Sequence, residues 1–349
     1  MLYHYPMIGT VAILLCMLLY SSKLIRIGGG NSYDFAKFDT VTTLPLRGIL
    51  AFLIICTHFG SEFGQEWPWV SEWNWWGGTS VGVFFFLSGY GLAVSFASKG
   101  SAYISSFPRR RARSILPPFI FMTLAAIVWN CYADGISLTD MWTKFLTGNP
   151  PLATSWFIYA LILYYTAFYI SARLTKSPLR TGIWLTASTL VYMATLMRLH
   201  FGGFWYSSIM AANIGYFFAL YSDRLLRLLG SRPATVTVLT GVLLACSATG
   251  AAWRRDLFQP CLTSVLPVAI WIIYVTVRMR VSRVLNFLGR VSYEIYLCQG
   301  FYIVAVATLP AATAMPVLYA ATIVTAVVLH RLCKARGGTK TAIGSATGV

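Results

Sequence analysis

Along this chain, long apolar stretches alternate with short polar connections. Apolar runs fall at 6–22, 44–60, 78–97, 115–132, 154–172, 181–197, 204–221, 234–252, 261–277, 291–309 and 314–332. A helix needs about 20 apolar residues to cross a hydrocarbon core of roughly 30 Å. The pattern therefore predicts an all-α, polytopic transmembrane bundle of about 10–11 spans. Runs 181–197 and 204–221 are separated only by "RLHFGG", so the pattern accommodates ten to twelve. Residues 1–332 read as one transmembrane domain and 333–349, ending in "GGTKTAIGSATGV", as a tail. In the run 6–22 the basic residues follow the apolar stretch and no small-x-small pattern closes it, so we expect a retained span, not a cleaved signal.

Composition agrees with this solvent. Hydrophobic residues make up 57% of the 349 and charged residues 11%, with a mean hydropathy of +0.67; soluble domains carry about 25% charge. The charge also orients the spans, because cytoplasmic loops collect Lys and Arg. With the N-terminus outside and the C-terminus inside, all but four of the 27 basic residues fall on the inner side, the exceptions being Lys144, Arg198, Arg254 and Arg255. Glu62, Glu66, Glu72, Asp134, Asp140 and Asp256 fall outside. This topology accounts for the net charge of +17 without a nucleic-acid partner. The seven cysteines show no CxxC spacing and read as small core residues, neither a disulfide framework nor a metal site.

One span carries candidate chemistry. "LPLRGILAFLIICTHFG" (44–60) holds Arg47 and His58. Eleven residues at about 100° each come within roughly 20° of three turns, so the two share a face, about 16 Å apart along the axis. A snorkelling arginine and an interfacial histidine are the plain alternatives. Two ionisable groups on one face of a span favour a site or a path. "GGTSVGVFFFLSGYGLAVSF" (77–96) is rich in glycine, which admits either a neighbouring helix or a ligand close to the backbone. "SFPRRRARSILPPF" (106–119) sets Arg109, Arg110, Arg111 and Arg113 at the inner mouth, more guanidinium than topology requires and suited to phosphate. The loop "SEFGQEWPWVSEWNWW" (61–76) interleaves tryptophans with acids. It reads either as an interfacial aromatic belt or as a platform on which Trp67 and its neighbours Trp69, Trp73, Trp75 and Trp76 stack a sugar ring, with Glu62, Glu66 or Glu72 bonding its hydroxyls.

Five segments, in order, resemble acyltransferase family 3, the integral-membrane O-acyltransferases of sugars and cell-surface glycans. Arg47 to His58 resembles the family's Arg-x10-His motif, "GVFFFLSGYGLA" its FF-x-LSGF segment and "RRRARSILPPF" its basic R-x-x-R-x-x-P motif. "TSWFIYALILYY" resembles its Trp-Phe helix and "NFLGRVSYEIYLCQGF" its late SY-x-IYL-x-H element. Gln299 stands where the family has His, and the span 6–22 is extra to the family's start.

The resemblance implies transfer of an acyl group, most often acetyl, from cytosolic acyl-coenzyme A to a hydroxyl of a sugar or of a lipid-linked or surface polysaccharide, in the bacterial cytoplasmic membrane. Arg109, Arg110, Arg111, Arg113 and Arg47 would meet the donor's phosphates. His58 would be the general base, with a transient acyl-histidine as the other route open to it. Ser88, Tyr293 and Tyr296 would bond the oxyanion or the acceptor, and Glu294 would partner a basic residue. No metal is expected. The competing class is a transporter or channel for an anionic solute, which also places polar residues on one helix face.

Overall fold

The computed structural model describes residues 40–230 and 283–338. The expected spans 6–22, 234–252 and 261–277 lie outside the described residues, and with the first of them the expected position of the N-terminus. The described chain is helical, with no strand among these residues. Its helices are α1 (Thr40–Phe63), α2 (Trp75–Tyr132), α3 (Leu138–Leu146), α4 (Trp156–Thr175), α5 (Pro178–Arg198), α6 (Met210–Gly230), α7 (Arg283–Arg290), α8 (Ser292–Val306) and α9 (Ala311–Gly338), with a 3-10 helix at Pro68–Asn74. Among the described residues four helical segments are long and apolar enough to cross a membrane: Thr43–Phe63, Pro68–Tyr132, Ala153–Thr175 and Ala311–Lys334.

The expected loop between runs 78–97 and 115–132 is helical. The backbone of α2 runs through it with one break at Gly100, whose φ of 52° and ψ of −133° suit a residue without Cβ. Beyond the break, Tyr103, Ile104 and Phe107 bury one side of the turn that carries the arginines. That apolar stripe, at helical spacing, is why the basic segment folds as helix. Pro108, Pro117 and Pro118 sit inside it. The last helix likewise continues past 332 to Gly338.

Glycines set two tight crossings. In α2, a Cβ on Gly89 would run into the backbone carbonyl of Ala212 in α6, and one on Gly215 into that of Phe86. The same reciprocity joins α1 and α7: Gly48 meets the carbonyl of Leu285 and Gly289 that of Leu44. Close backbone approach through small residues is the usual packing device where lipid provides no hydrophobic drive between helices. Around these crossings the buried core runs through Phe59, Phe85, Phe86, Phe168 and Tyr164.

Candidate functional site

His58 lies in the last third of α1, where "LIICTHFG" is helical because the flanking residues are apolar and buried on almost every side. Its Nδ1 lies 2.9 Å from the carbonyl oxygen of Ile54, one turn back. A carbonyl only accepts, so Nδ1 donates the proton, and in the neutral ring the lone pair is on Nε2. The side chain faces a cavity of about 320 Å³. Thr57 comes from the same helix, Asn74 from the 3-10 turn, Gly77 and Gly78 from the start of α2, Trp156 from the start of α4, and Tyr296 from α8. Phe204, Ser207 and Ser208 of the segment before α6 close it. The lining combines three aromatic rings with hydroxyl and amide groups, a surface suited to a ring bearing hydroxyls.

The polar lining is held from behind. Thr57 Oγ1 donates towards the carbonyls of Leu53 (2.9 Å) and Trp73 (3.0 Å). The Asn74 side-chain Oδ1 accepts from Ser61 Oγ at 3.0 Å, and Ser208 Oγ donates to the Gly78 carbonyl at 3.1 Å. Gly77 packs on Thr57, and Gly300 on Thr154, without room for a Cβ. On residues next to or one turn from lining positions, the buried side-chain oxygens of Ser80, Thr154 and Gln299 have no hydrogen-bond partner among the protein groups described. Gln299 is fully buried, and its amide nitrogen donates to the Tyr296 carbonyl of its own helix at 3.3 Å.

Arg47, three turns earlier on α1, is half-buried, and Tyr165 of α4 and Arg111 of α2 are within electrostatic reach of it. Arg111 turns inward, its guanidinium 4.7 Å from the Tyr165 ring centroid and 5.6 Å from that of Phe107. Arg110 lies over Tyr103, at 4.5 Å, and donates to that residue's carbonyl. Arg109 and Arg113 are exposed or nearly so at the surface of the helix. Neither Arg47 nor Arg111 has a carboxylate partner among the described residues; Glu294 lies against His330, Nδ1 to Oε1 at 2.8 Å. Two guanidiniums thus converge on Tyr165 with no anion supplied by the described protein. Desolvated like charges in that arrangement are costly unless an anion visits.

The structure thus brings Arg47 and Arg111 together at one end and His58 and Tyr296 together at the other. Both groups lie on the side of α1 that faces α4. Ser88, Tyr293, Glu62 and Trp67 do not line the cavity. Three hydroxyls expected near the chemistry already spend their protons on backbone carbonyls: Ser88 on Phe84 (2.9 Å), Tyr293 on Ile115 (2.9 Å) and Tyr296 on Thr154 (2.8 Å). Each can still accept a hydrogen bond; donating to an oxyanion requires breaking one. Glu62 is exposed, and Trp67 is half-buried, edge-on to Phe59 at 6.2 Å and stacked on Trp69 at 5.7 Å. Glu66 pins this loop, both carboxylate oxygens lying 3.0 Å from the amide of Ala311 at the start of α9, where a negative charge is favoured.

The family model described as an acyltransferase domain, that of acyltransferase family 3, matches residues 46–331. The chain belongs to acyltransferase family 3. It is a multi-pass membrane acyltransferase, and the match begins one residue before Arg47 and ends one after His330. No curated protein and no solved structure matches the chain. For a family 3 acyltransferase, the groups that sequence reasoning missed are Asn74, Phe204, Ser207 and Ser208, while Trp156 belongs to the segment that resembles the family's Trp-Phe helix. Asn74 comes from the 3-10 turn and the other three from the segment before α6, and no linear pattern joins the two. Glu294 has the basic partner that was expected, and it is His330.

Proposed function

We propose that this acyltransferase moves an acyl group, acetyl in the first instance, from acyl-coenzyme A to a hydroxyl of a sugar or of a lipid-linked or surface polysaccharide. The observation that carries the reading is the layout of α1: paired guanidiniums without a described carboxylate at one end, and about 16 Å away on the same face a histidine in a cavity with aromatic and polar walls. Arg47 and Arg111, with Arg109, Arg110 and Arg113 around them, would hold the donor's phosphates, and the acyl-bearing arm would extend along α1. His58 Nε2 would take the acceptor's hydroxyl proton as that oxygen attacks the thioester carbonyl. The carbon–sulfur bond breaks, and the thiolate leaves to be protonated by the imidazolium. General-base help of this kind is worth about 10²–10⁴ in rate. Trp156 and Phe204 would stack on the acceptor while Asn74, Ser207 and Tyr296 accept or donate to its other hydroxyls.

Membership of an acyltransferase family decides against the transporter alternative. The test is transfer of labelled acetyl from acetyl-coenzyme A to a glycan-lipid extract by protein in nanodiscs. Transfer by wild type with loss of donor binding in the Arg47→Ala, Arg111→Ala double variant is the expected result. Full donor binding by that variant would remove the donor site from this end of the bundle.

A further inference from the structure

Between α2 and α4 lies a helix that the apolar runs did not announce. Ser137 starts α3: its Oγ accepts from the Asp140 amide at 3.1 Å and donates to the Asp140 carboxylate at 2.7 Å, a capping arrangement that fixes the first turn. The nine residues that follow are two and a half turns, and their side chains divide into three sectors. Met141 is 5% exposed and Phe145 packs edge-on to Tyr159 at 5.4 Å, so this sector faces the protein. Thr139, Asp140, Thr143 and Lys144 form a polar sector that is exposed. Leu138, Trp142 and Leu146, at i, i+4 and i+8, form the third, and they are 67%, 61% and 58% exposed. At about 100° per residue this bare apolar row adjoins the sector that packs on the protein and points away from the midpoint of the polar one.

The position of α3 says what covers that row. From Arg113 to Tyr132, α2 rises about 28 Å, close to the thickness of a hydrocarbon core. Along this rise Ile120, Leu124, Val128 and Tyr132 present an exposed row at i+4 spacing, the lipid-facing side of a membrane helix. The row ends where α3 begins, so α3 sits at the membrane boundary opposite the arginines, its bare row continuous with a surface already in lipid. A tryptophan in the row and a lysine in the polar sector are the residue types found at that depth.

We infer that α3 is an amphipathic interfacial helix, immersed through Leu138, Trp142 and Leu146 in the headgroup–acyl boundary of the bilayer, and that it holds the rim of the His58 cavity at that depth. The link to the rim is continuous. Phe145 packs on Tyr159, which stacks on Trp205 at 6.2 Å, and Trp205 Nε1 donates to the Gly148 carbonyl, just past α3, at 3.0 Å. Trp205 adjoins Phe204, which faces Trp156 across the cavity wall at 5.7 Å.

The test uses the wild-type chain, so no variant has to fold. It is reconstituted in phosphatidylcholine nanodiscs containing a phosphatidylcholine with a diazirine near its glycerol backbone, and separately exposed to hydroxyl radical in water. Mass spectrometry of the peptide spanning 138–146 then reads both labels. The inference expects photolabel on Leu138, Trp142 or Leu146, loss of radical oxidation at Trp142 relative to the denatured chain, and retained oxidation on the polar sector. Oxidation of Trp142 at the denatured level would overturn it, because the row would face water. Protection of Trp142 from both reagents would also overturn it, by showing that protein covers the row, whether a second copy or residues of this chain.

Discussion

Alanine at Gly89 and alanine at Gly91 are two residues apart in the same helix, yet the structure assigns them opposite outcomes. In an unstrained helix interior, Gly→Ala stabilises by about 0.5–1 kcal/mol. At Gly91 a Cβ has nothing within 4 Å, so that gain should appear almost in full. At Gly89 the new methyl collides with the Ala212 carbonyl, backbone against backbone, with no flexible side chain to move aside. The helices α2 and α6 must part, and overpacking of this kind costs about 1–3 kcal/mol. Set against the propensity gain, Gly89→Ala should be destabilised by as much as about 2 kcal/mol. The propensity gain is common to both variants, so the gap between them should be the overpacking cost, about 1–3 kcal/mol, or several degrees in Tm. The crossing also places the segment carrying Ser207 and Ser208 against Gly78, so Gly89→Ala should lose transfer activity as well. The assay is tryptophan-fluorescence melting of both variants side by side in one detergent, followed by transfer in nanodiscs. Equal melting of the two variants would refute the reasoning, since chemistry and helix are the same and only the neighbour differs.

Other perturbations follow from the same contacts. Arg111→Lys removes a planar group stacked 4.7 Å from Tyr165 and should raise the donor's KM more than Arg109→Lys, which changes an exposed residue; steady-state kinetics against acetyl-coenzyme A decide it. Tyr296→Phe leaves the Thr154 carbonyl without its 2.8 Å donor and should cost about 1–3 kcal/mol of stability, measured by the same melting assay. Glu294→Leu alone strands His330 without its carboxylate and should destabilise. The double variant Glu294→Leu, His330→Leu should recover most of that loss, because replacing both partners of a part-buried polar contact leaves neither stranded.

How much of this was legible beforehand depends on how local each feature is. The helix α1 and the shared face of Arg47 and His58 follow from spacing alone, because helical geometry converts eleven residues into three turns. The helicity of 101–114 was hidden by four arginines and a proline, although Tyr103, Ile104 and Phe107 already marked a buried stripe. The helix α3 is too short to register as a span, but "SLTD" is a capping signal and Leu138, Trp142 and Leu146 keep helical spacing. The cavity walls were not legible. Trp156, Phe204 and Ser207 meet His58 only through the packing of α1, α2, α4 and α6; Trp156 lies in the segment that resembles the family's Trp-Phe helix, but nothing around Phe204 and Ser207 distinguishes them from core residues. The tautomer of His58 also needed the structure, since it is set by the Ile54 carbonyl.

In the proposed reaction, His58 Nε2 accepts the proton of the acceptor's hydroxyl. The most direct measurement is the single-turnover rate of acetyl transfer in nanodiscs for wild type, His58→Ala and His58→Gln at saturating donor, with donor affinity measured in parallel. The rate should fall by about 10²–10⁴ in both variants with donor affinity unchanged, because the guanidiniums lie about 16 Å away. Transfer by His58→Ala at the wild-type rate would contradict it.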